Sequence, residues 1–189
     1  MRCIDKELPF EVPENWSWCR LSSACIINPK NNIGDELPVS FVSMSSIKDG
    51  YANQFTAEKR KWKNIKKGFT HFAENDVGFA KITPCFENRK SVVFRDLCNG
   101  YGAGTTELYI LRTSPNTLLP EYLLFMVKSE IFISGGKQSF SGAVGQQRVD
   151  KEYICNFLCP VPPLVEQIEI VDTIRRYIGI LNKIEISLS

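Results

Sequence analysis

The sequence predicts an α/β fold of the mixed-sheet α+β kind: a globular body over residues 1–163 and a long C-terminal α-helix over 164–189. Three observations predict it. Stretches rich in Val, Ile, Phe and Tyr recur at 76–83, 91–95 and 106–112, each bounded by Gly, Pro or Asn, the usual punctuation of strands. PEYLLFMVKS sets proline and glutamate ahead of good helix formers and predicts a helix from about Pro120 to Ser129. LVEQIEIVDTIRRYIGILNKIEISL, from Leu164 onward, is the longest helical pattern in the chain. At 189 residues and 43% hydrophobic, the chain can bury one domain core and falls short of two.

Taken in order, residues 1–15 carry Pro9, Pro13 and the acids Asp5, Glu7, Glu11 and Glu14, the composition of an extended lead-in. The body begins at WSWCRL. Residues 26–40, with Pro29, Asn31, Asn32, Gly34 and Pro38, read as a polar loop, and VSFVSM after it alternates like a half-buried strand. Lys59, Arg60, Lys61, Lys63, Lys66 and Lys67 then give the steepest local charge, interrupted by Trp62 and Ile65. In FAKITPCFENRK, residues 79–90, a single lysine is set into an apolar strand before a proline; Phe79 and Ile82 are expected to face the core. Beyond the helix at 120–129, SGGKQSFSGAVGQQR over 134–148 reads as an exposed loop, and CNFLCPVPP as a short strand stopped by prolines. In the last helix Ile170, Ile174, Tyr177, Leu181, Ile184 and Leu188 alternate spacings of four and three and keep one apolar seam on a single side. Such a seam packs a partner helix or, widened by Val171 and Ile178, its own domain.

Composition and motifs exclude more than they assign. A net charge of +2, from 23 basic and 21 acidic residues, is far from the excess that alone marks a nucleic-acid binder, so any such preference rests on local clusters. Seven cysteines without a CxxC pair indicate neither a disulfide framework nor a zinc ribbon, and reduced thiols in a cytoplasmic protein are expected. No stretch is long enough to span a membrane. His71 is the only histidine and sits in apolar FTHF; Cys155 and Cys159 are four apart without further ligands; NGYGAG lacks the rest of a dinucleotide fingerprint. No self-contained active site, metal site or cofactor is expected. Binding is better supported, because phosphate and base recognition ask for Lys, Arg, Gln and Ser on exposed segments. The candidates are Lys61, Lys63, Lys66, Lys67, Lys81, Arg89, Lys90, Lys137, Ser141, Gln146, Gln147 and Arg148. Taken singly, each cluster is equally a solvated face or a flexible loop.

FEVPENWSWCRL (10–21), KKGFTHFAENDVGFAKITPCFENRK (66–90), GTTELYILR (104–112), LPEYLLFMVKS (119–129) and SGAVGQQRVDKEYICNFLCPVPPLVEQIEIVDTI (141–174) together carry a familiar pattern. In these five segments the chain resembles the DNA-specificity subunits of type I restriction-modification enzymes. The resemblance implies a target recognition domain that reads one half of a split DNA target, followed by the start of a spacer helix, with methyl transfer and cleavage left to separate subunits. It implies as partners double-stranded DNA, the modification (methyltransferase) and restriction subunits, and a second recognition domain or a second copy met through the C-terminal helix. A full-length member carries two recognition domains and two long helices; with one of each, ending at Ser189, this chain is expected to be a half-subunit or a truncated piece. Lys81 keeps two readings, a phosphate anchor or an internal ion pair with Asp76 or Glu87. The rival functions are a stand-alone DNA-modifying enzyme, disfavoured by the lone histidine, and a dimerisation module without a DNA role.

Overall fold

A computed structural model describes residues 7–114, 116–143 and 145–188. The elements are β1 (Ser17–Arg20), a single turn α1 (Leu21–Ala24), β2 (Cys25–Ile27), β3 (Pro38–Val42), β4 (Glu58–Lys61), β5 (Thr70–Ala73), β6 (Val77–Ala80), β7 (Ser91–Val93), β8 (Tyr101–Gly104) and β9 (Leu108–Thr113). Then follow α2 (Pro120–Lys128), α3 (Glu130–Gln138), α4 (Lys151–Asn156), β10 (Leu158–Val161) and α5 (Leu164–Leu188). One antiparallel sheet runs β2-β9-β6-β7, a second runs β4-β3-β8-β5 with β3 and β8 parallel, and β1 pairs with β10. The mixed-sheet body with a long last helix is the expected fold class.

The strands alternate sides with their period of two. Val77 and Phe79 of β6, with Tyr109 and Leu111 of β9, face Leu123, Val127 and Phe132 of the helices. Leu108 and Ile110 face the second sheet, where Val42, Phe72 and Phe94 fill the space between layers and the Phe72 and Phe94 rings stack 3.7 Å apart. The far side of that sheet is closed by Trp62 and Ile65, 2% and 1% exposed, against Val39 and Ala103. The glycines of NGYGAG belong to this packing. A Cβ on Gly102 would collide with the Phe72 ring and the Ser40 carbonyl oxygen, and one on Gly104 with the Val42 carbonyl oxygen. The stretch is a strand that a neighbouring strand and ring approach closely.

Asp76, 1% exposed, ties the two sheets at the β5–β6 turn. Its carboxylate accepts from Arg112 Nε and Nη2, both at 2.8 Å, and from the Ala73 amide at 2.7 Å. Arg112 Nη2 also donates to Asn31 Oδ1 at 3.1 Å, and Asn31 Nδ2 donates to the Phe72 carbonyl at 2.8 Å. The helices have their own tie: the buried Gln167 of α5 accepts from the Leu119 amide at 2.8 Å and donates to the Thr117 and Pro162 carbonyls.

Several expectations are corrected. The segment 134–148 is not one loop, because α3 runs to Gln138; Gly135 packs against Tyr153 and Gly136 against the Phe86 ring, so the small residues serve close approach within a helix. Residues 26–40 open and close in β2 and β3. CNFLCPVPP begins in α4, leaving only Leu158–Val161 extended. Part of the lead-in, residues 1–6, lies outside the described residues; from Glu7 to Asn15 no strand or helix forms, and the Phe10 ring meets Trp18 edge-on at 4.9 Å.

Removing the charge from Asp76 leaves Arg112 half-sheltered beside an amide that cannot match it, and losing one partner of a buried pair costs about 3 kcal/mol or more. Asp76→Asn is therefore expected to lower the free energy of unfolding by that amount, read in urea as a lower midpoint at unchanged slope; a loss under about 1 kcal/mol would show that the sheets do not depend on the pair.

Candidate nucleic-acid interface

The exposed segment that remains of the expected loop is a tight hairpin. Ser141 and Arg148 exchange backbone hydrogen bonds of 3.0 and 2.9 Å, closing a tip in which Gly142 and Gly145 take φ of +107° and +84°. A second ribbon edge fixes it to the end of β6: the Thr83 amide donates to the Gln147 carbonyl at 2.9 Å, the Gln147 amide to Thr83 Oγ1 at 3.2 Å, and the Val149 amide to the Lys81 carbonyl at 2.9 Å. Ser141, Gly142, Ala143, Gly145 and Gln146 are exposed, while Gln147 and Arg148 are half-buried. Arg148 meets Glu107, at the entry to β9, through Nε to Oε2 at 2.9 Å and Nη2 to Oε1 at 2.8 Å. Arg148 holds the Glu107 carboxyl below its usual pKa, with Lys81 adding to the effect. A cavity of about 470 Å³ opens beside the hairpin, lined by Thr83, Pro84, Phe140, Gly145, Gln147 and Lys137.

Lys81 resolves one of its two readings. It forms no ion pair with Asp76, whose carboxylate is taken by Arg112, or with Glu87, which lies 3.8 Å from Lys137. The reason is geometric: Asp76 and Lys81 stand at opposite ends of β6, about 16 Å apart along an extended chain. The Lys81 ammonium instead lies over the Tyr109 ring at 5.4 Å. Phe79 is buried as expected, whereas Ile82 is only half-buried and pairs with Arg148.

The basic run divides into anchors and paired charges. Trp62 and Ile65 pin it to the sheet, while Lys61 and Lys63 reach Glu36 at 2.8 and 2.7 Å and Lys66 reaches Asp35 at 2.8 Å. Sequence order hides these carboxylates, which sit some thirty residues upstream in the segment before β3. Such exposed pairs contribute little and exchange readily with another anion. Lys67 is exposed and, among the described residues, has no carboxylate within ion-pair distance.

Arg89 and Lys90 are internal struts. Arg89 donates to the Lys128 carbonyl at 2.9 Å and pairs with Glu130; Lys90, 16% exposed, reaches the Met44 carbonyl and Asp49 at 3.3 Å. Between them lies Lys128, fully buried, whose ammonium donates to the carbonyl oxygens of Gly50 at 2.6 Å and Arg89 at 3.0 Å. No sequence signal marks it, since it occupies the last turn of an amphipathic helix where a lysine is ordinary. Burial, aided by Arg89, lowers its pKa to about 7.

His71 is committed to the core: Nδ1 accepts from the Asn31 amide at 3.3 Å, and Nε2 is 2.9 Å from the Lys66 carbonyl oxygen. Burial holds its pKa below the ordinary value. Cys25 and Cys159 are buried thiols, that of Cys25 pushed up to about 12, and among the described residues no group of His, Cys, Asp or Glu is arranged to hold a metal. On α5, Val171 is buried and Ile170, Ile174 and Ile178 are half-buried, while Tyr177, Leu181, Ile184 and Leu188 are exposed at 57, 63, 49 and 83%. The seam thus begins on its own domain and continues into solvent along a helix of about 37 Å.

Residues 27–188 match the sequence model of the type I restriction modification DNA specificity domain. The chain belongs to this family. It is 41% identical over 186 residues to the type I restriction enzyme EcoEI specificity subunit of Escherichia coli, which covers 98% of this chain and 31% of that protein. It is 40% identical over 182 residues to the EcoAI specificity subunit of the same organism, covering 96% and 31%. The chain therefore spans about a third of the length of these relatives. Its fold is shared with the HsdS subunit from Thermoanaerobacter tengcongensis at a TM-score of 0.75 and 20% identity, over 94% of this chain and 45% of that one. A chain from a type I R-M system complex matches at 0.76 and 18%, with the same coverage.

The motifs that place the chain in the specificity family meet one another in the fold. Glu166 of PPLVEQ accepts from Asn15 Nδ2 at 2.5 Å and Trp16 Nε1 at 2.7 Å of PENW, and Gln167 beside it clasps the segment entering α2. Asp76 and Arg112 join the second and third quoted segments, and Glu107 and Arg148 the third and fifth.

Lys128 gives this specificity-family domain a measurable pH dependence. Its ordinary pKa of 10.5 falls to about 7 in the fold, so between those values the unfolded chain holds a proton that the folded chain lacks. Stability supplied at this position is expected to rise from pH 7 to pH 10 and to be lower and flat below 7. The difference in urea midpoint between the native chain and Lys128→Met, measured across that range, is the test; a difference independent of pH would place a charged ammonium there throughout.

Proposed function

We propose that this chain is the DNA-reading domain of a type I restriction-modification specificity component, binding one half of a bipartite duplex target in the cytoplasm without chemistry of its own. The observation that carries the reading is the hairpin at 141–148: an exposed tip flanked by Ser141, Gln146 and Gln147 and tied by hydrogen bonds to Lys81, Thr83 and Glu107, in a chain whose relatives are specificity subunits. A projecting hairpin of this kind can enter the major groove, where Gln146, Gln147 and Ser141 have donors and acceptors to match base edges; glutamine suits adenine. Lys67, Lys81 and Lys137 supply phosphate contacts, and Lys61, Lys63 and Lys66 add to these by leaving Asp35 and Glu36 for phosphate. Arg89 and Lys90 serve the domain's own packing instead.

Methyl transfer and cleavage then fall to separate modification and restriction subunits. The exposed half of the α5 seam takes a second helix, from another recognition domain or a second copy.

Selection from a randomised duplex pool, with the salt dependence of the winner recorded, tests the reading. A short enriched half-site is expected. Lys67→Gln and Lys81→Gln are each expected to reduce the slope of log affinity against log salt by about 1, without altering which sequence wins. Absence of any enrichment at low salt would remove the DNA role and leave the exposed seam as evidence for a dimerisation module.

A further inference from the structure

The hairpin's one arginine is the natural candidate for reading guanine, yet its guanidinium is already committed on every nitrogen. Nε and Nη2 hold the two oxygens of Glu107, and Nη1 lies 3.3 Å from the carbonyl oxygen of Gln146 inside the hairpin tip. Guanine would be read by the same two-nitrogen fork that grips the carboxylate, so Arg148 cannot do both. Glu107 is itself fixed: its amide donates to Thr105 Oγ1 at 3.2 Å and its carbonyl oxygen accepts from the Lys81 amide at 2.9 Å. The contact therefore runs from β9, through a charge pair, to the backbone of the tip. By contrast the Ser141 hydroxyl and the Gln146 side-chain carboxamide, both on exposed residues, have no hydrogen-bond partner among the described residues.

We propose that Glu107 and Arg148 are positioning residues that set the pose of the hairpin, and that Ser141 and Gln146 on its exposed side are the groups that meet base edges. This rests on the DNA-reading function above. Two consequences separate it from direct contact. With its fork held by Glu107, Arg148 makes no phosphate contact, so neutralising both partners together, Glu107→Gln with Arg148→Gln, should leave the salt slope unchanged, whereas losing Arg148 alone leaves an unpaired carboxylate. A pose set by the pair should blur several base positions together, whereas a lost reader blurs one.

The test is selection and sequencing with the native chain, Arg148→Gln, Glu107→Gln, the two together, and the exchange Glu107→Arg with Arg148→Glu, alongside amide hydrogen exchange at Gln147 and Arg148. Both single variants are expected to lose roughly tenfold of the discrimination at more than one position, with faster amide exchange in the hairpin, and the doubly neutral variant Glu107→Gln with Arg148→Gln is expected to keep the native salt slope. The charge exchange is expected to recover both readouts, which no direct arginine contact with DNA would allow. Three outcomes would overturn the assignment: Arg148→Gln blurring a single position with hairpin exchange unaltered, the doubly neutral variant lowering the salt slope by about 1, or Glu107→Gln leaving discrimination intact. If the native chain itself enriches nothing, the DNA-reading function fails instead. Hydrogen exchange in the single and exchanged variants still decides whether the pair holds the hairpin.

Discussion

The carboxylate of Asp76 is the point on which the two sheets are hung. It sits where the chain leaves β5 for β6, receives the Ala73 amide from its own turn, and takes two parallel bonds from Arg112 on β9. Arg112 extends the contact to Asn31, and Asn31 to the Phe72 carbonyl, so one buried anion orients three strands from two layers. An isolated carboxylate at this depth would be far too costly, and the fork geometry of the guanidinium is what makes it tolerable. The stacked Phe72 and Phe94 rings and the bare Cα atoms of Gly78 and Gly102 fit only while the sheets keep that relation.

From that frame, the ends of the strands acquire their roles. β6 and β9 end side by side, with Ala80 opposite Leu108, and the next residue outward on each is charged: Lys81 on one and Glu107 on the other. The hairpin at 141–148 grows from this corner, using the Lys81 and Thr83 backbone on one flank and the Glu107 carboxylate on the other. At the opposite pole Gln167 and Glu166 do the same for α5, tying its first turn to the segment before α2 and to Asn15 and Trp16. The domain thus holds its hairpin at one corner and its long helix at another through polar side chains.

The sequence made visible what depends on near neighbours. The strands around 77–80, 91–93 and 108–113 declared themselves by β-rich residues between turn residues, α2 by its proline start, and the α5 seam by its spacing. What it hid depends on partners far along the chain. SGGKQ looked like loop because glycine disfavours helices, and only the rings of Tyr153 and Phe86 explain why this helix wants them. The cations at 61, 63, 66, 89 and 148 were readable, but their carboxylates at 35, 36, 107 and 130 are tens of residues away, so the chain looked more electropositive there than it is. Glu107 was the residue missed. Its only local signal was that it opens an apolar strand as Lys81 closes the adjacent one, a match that requires knowing which strands are neighbours.

That hidden pairing bears on how such a domain could hold DNA. With most cations engaged by carboxylates and a net charge of +2, the electrostatic grip of one copy is shallow, and sequence-independent binding is correspondingly weak. Weak non-specific attraction favours discrimination, because fewer wrong sites compete, but it leaves a single half-site short of affinity. On the proposed function, joining two such domains through their helices would supply the difference without new charge, since the second half-site would then be met at high effective concentration. It would also work only if each hairpin were held in a fixed direction relative to its helix, and the bonds of Asp76 to Arg112, Gln167 to Leu119 and Glu107 to Arg148 are the polar ties between those parts of the domain.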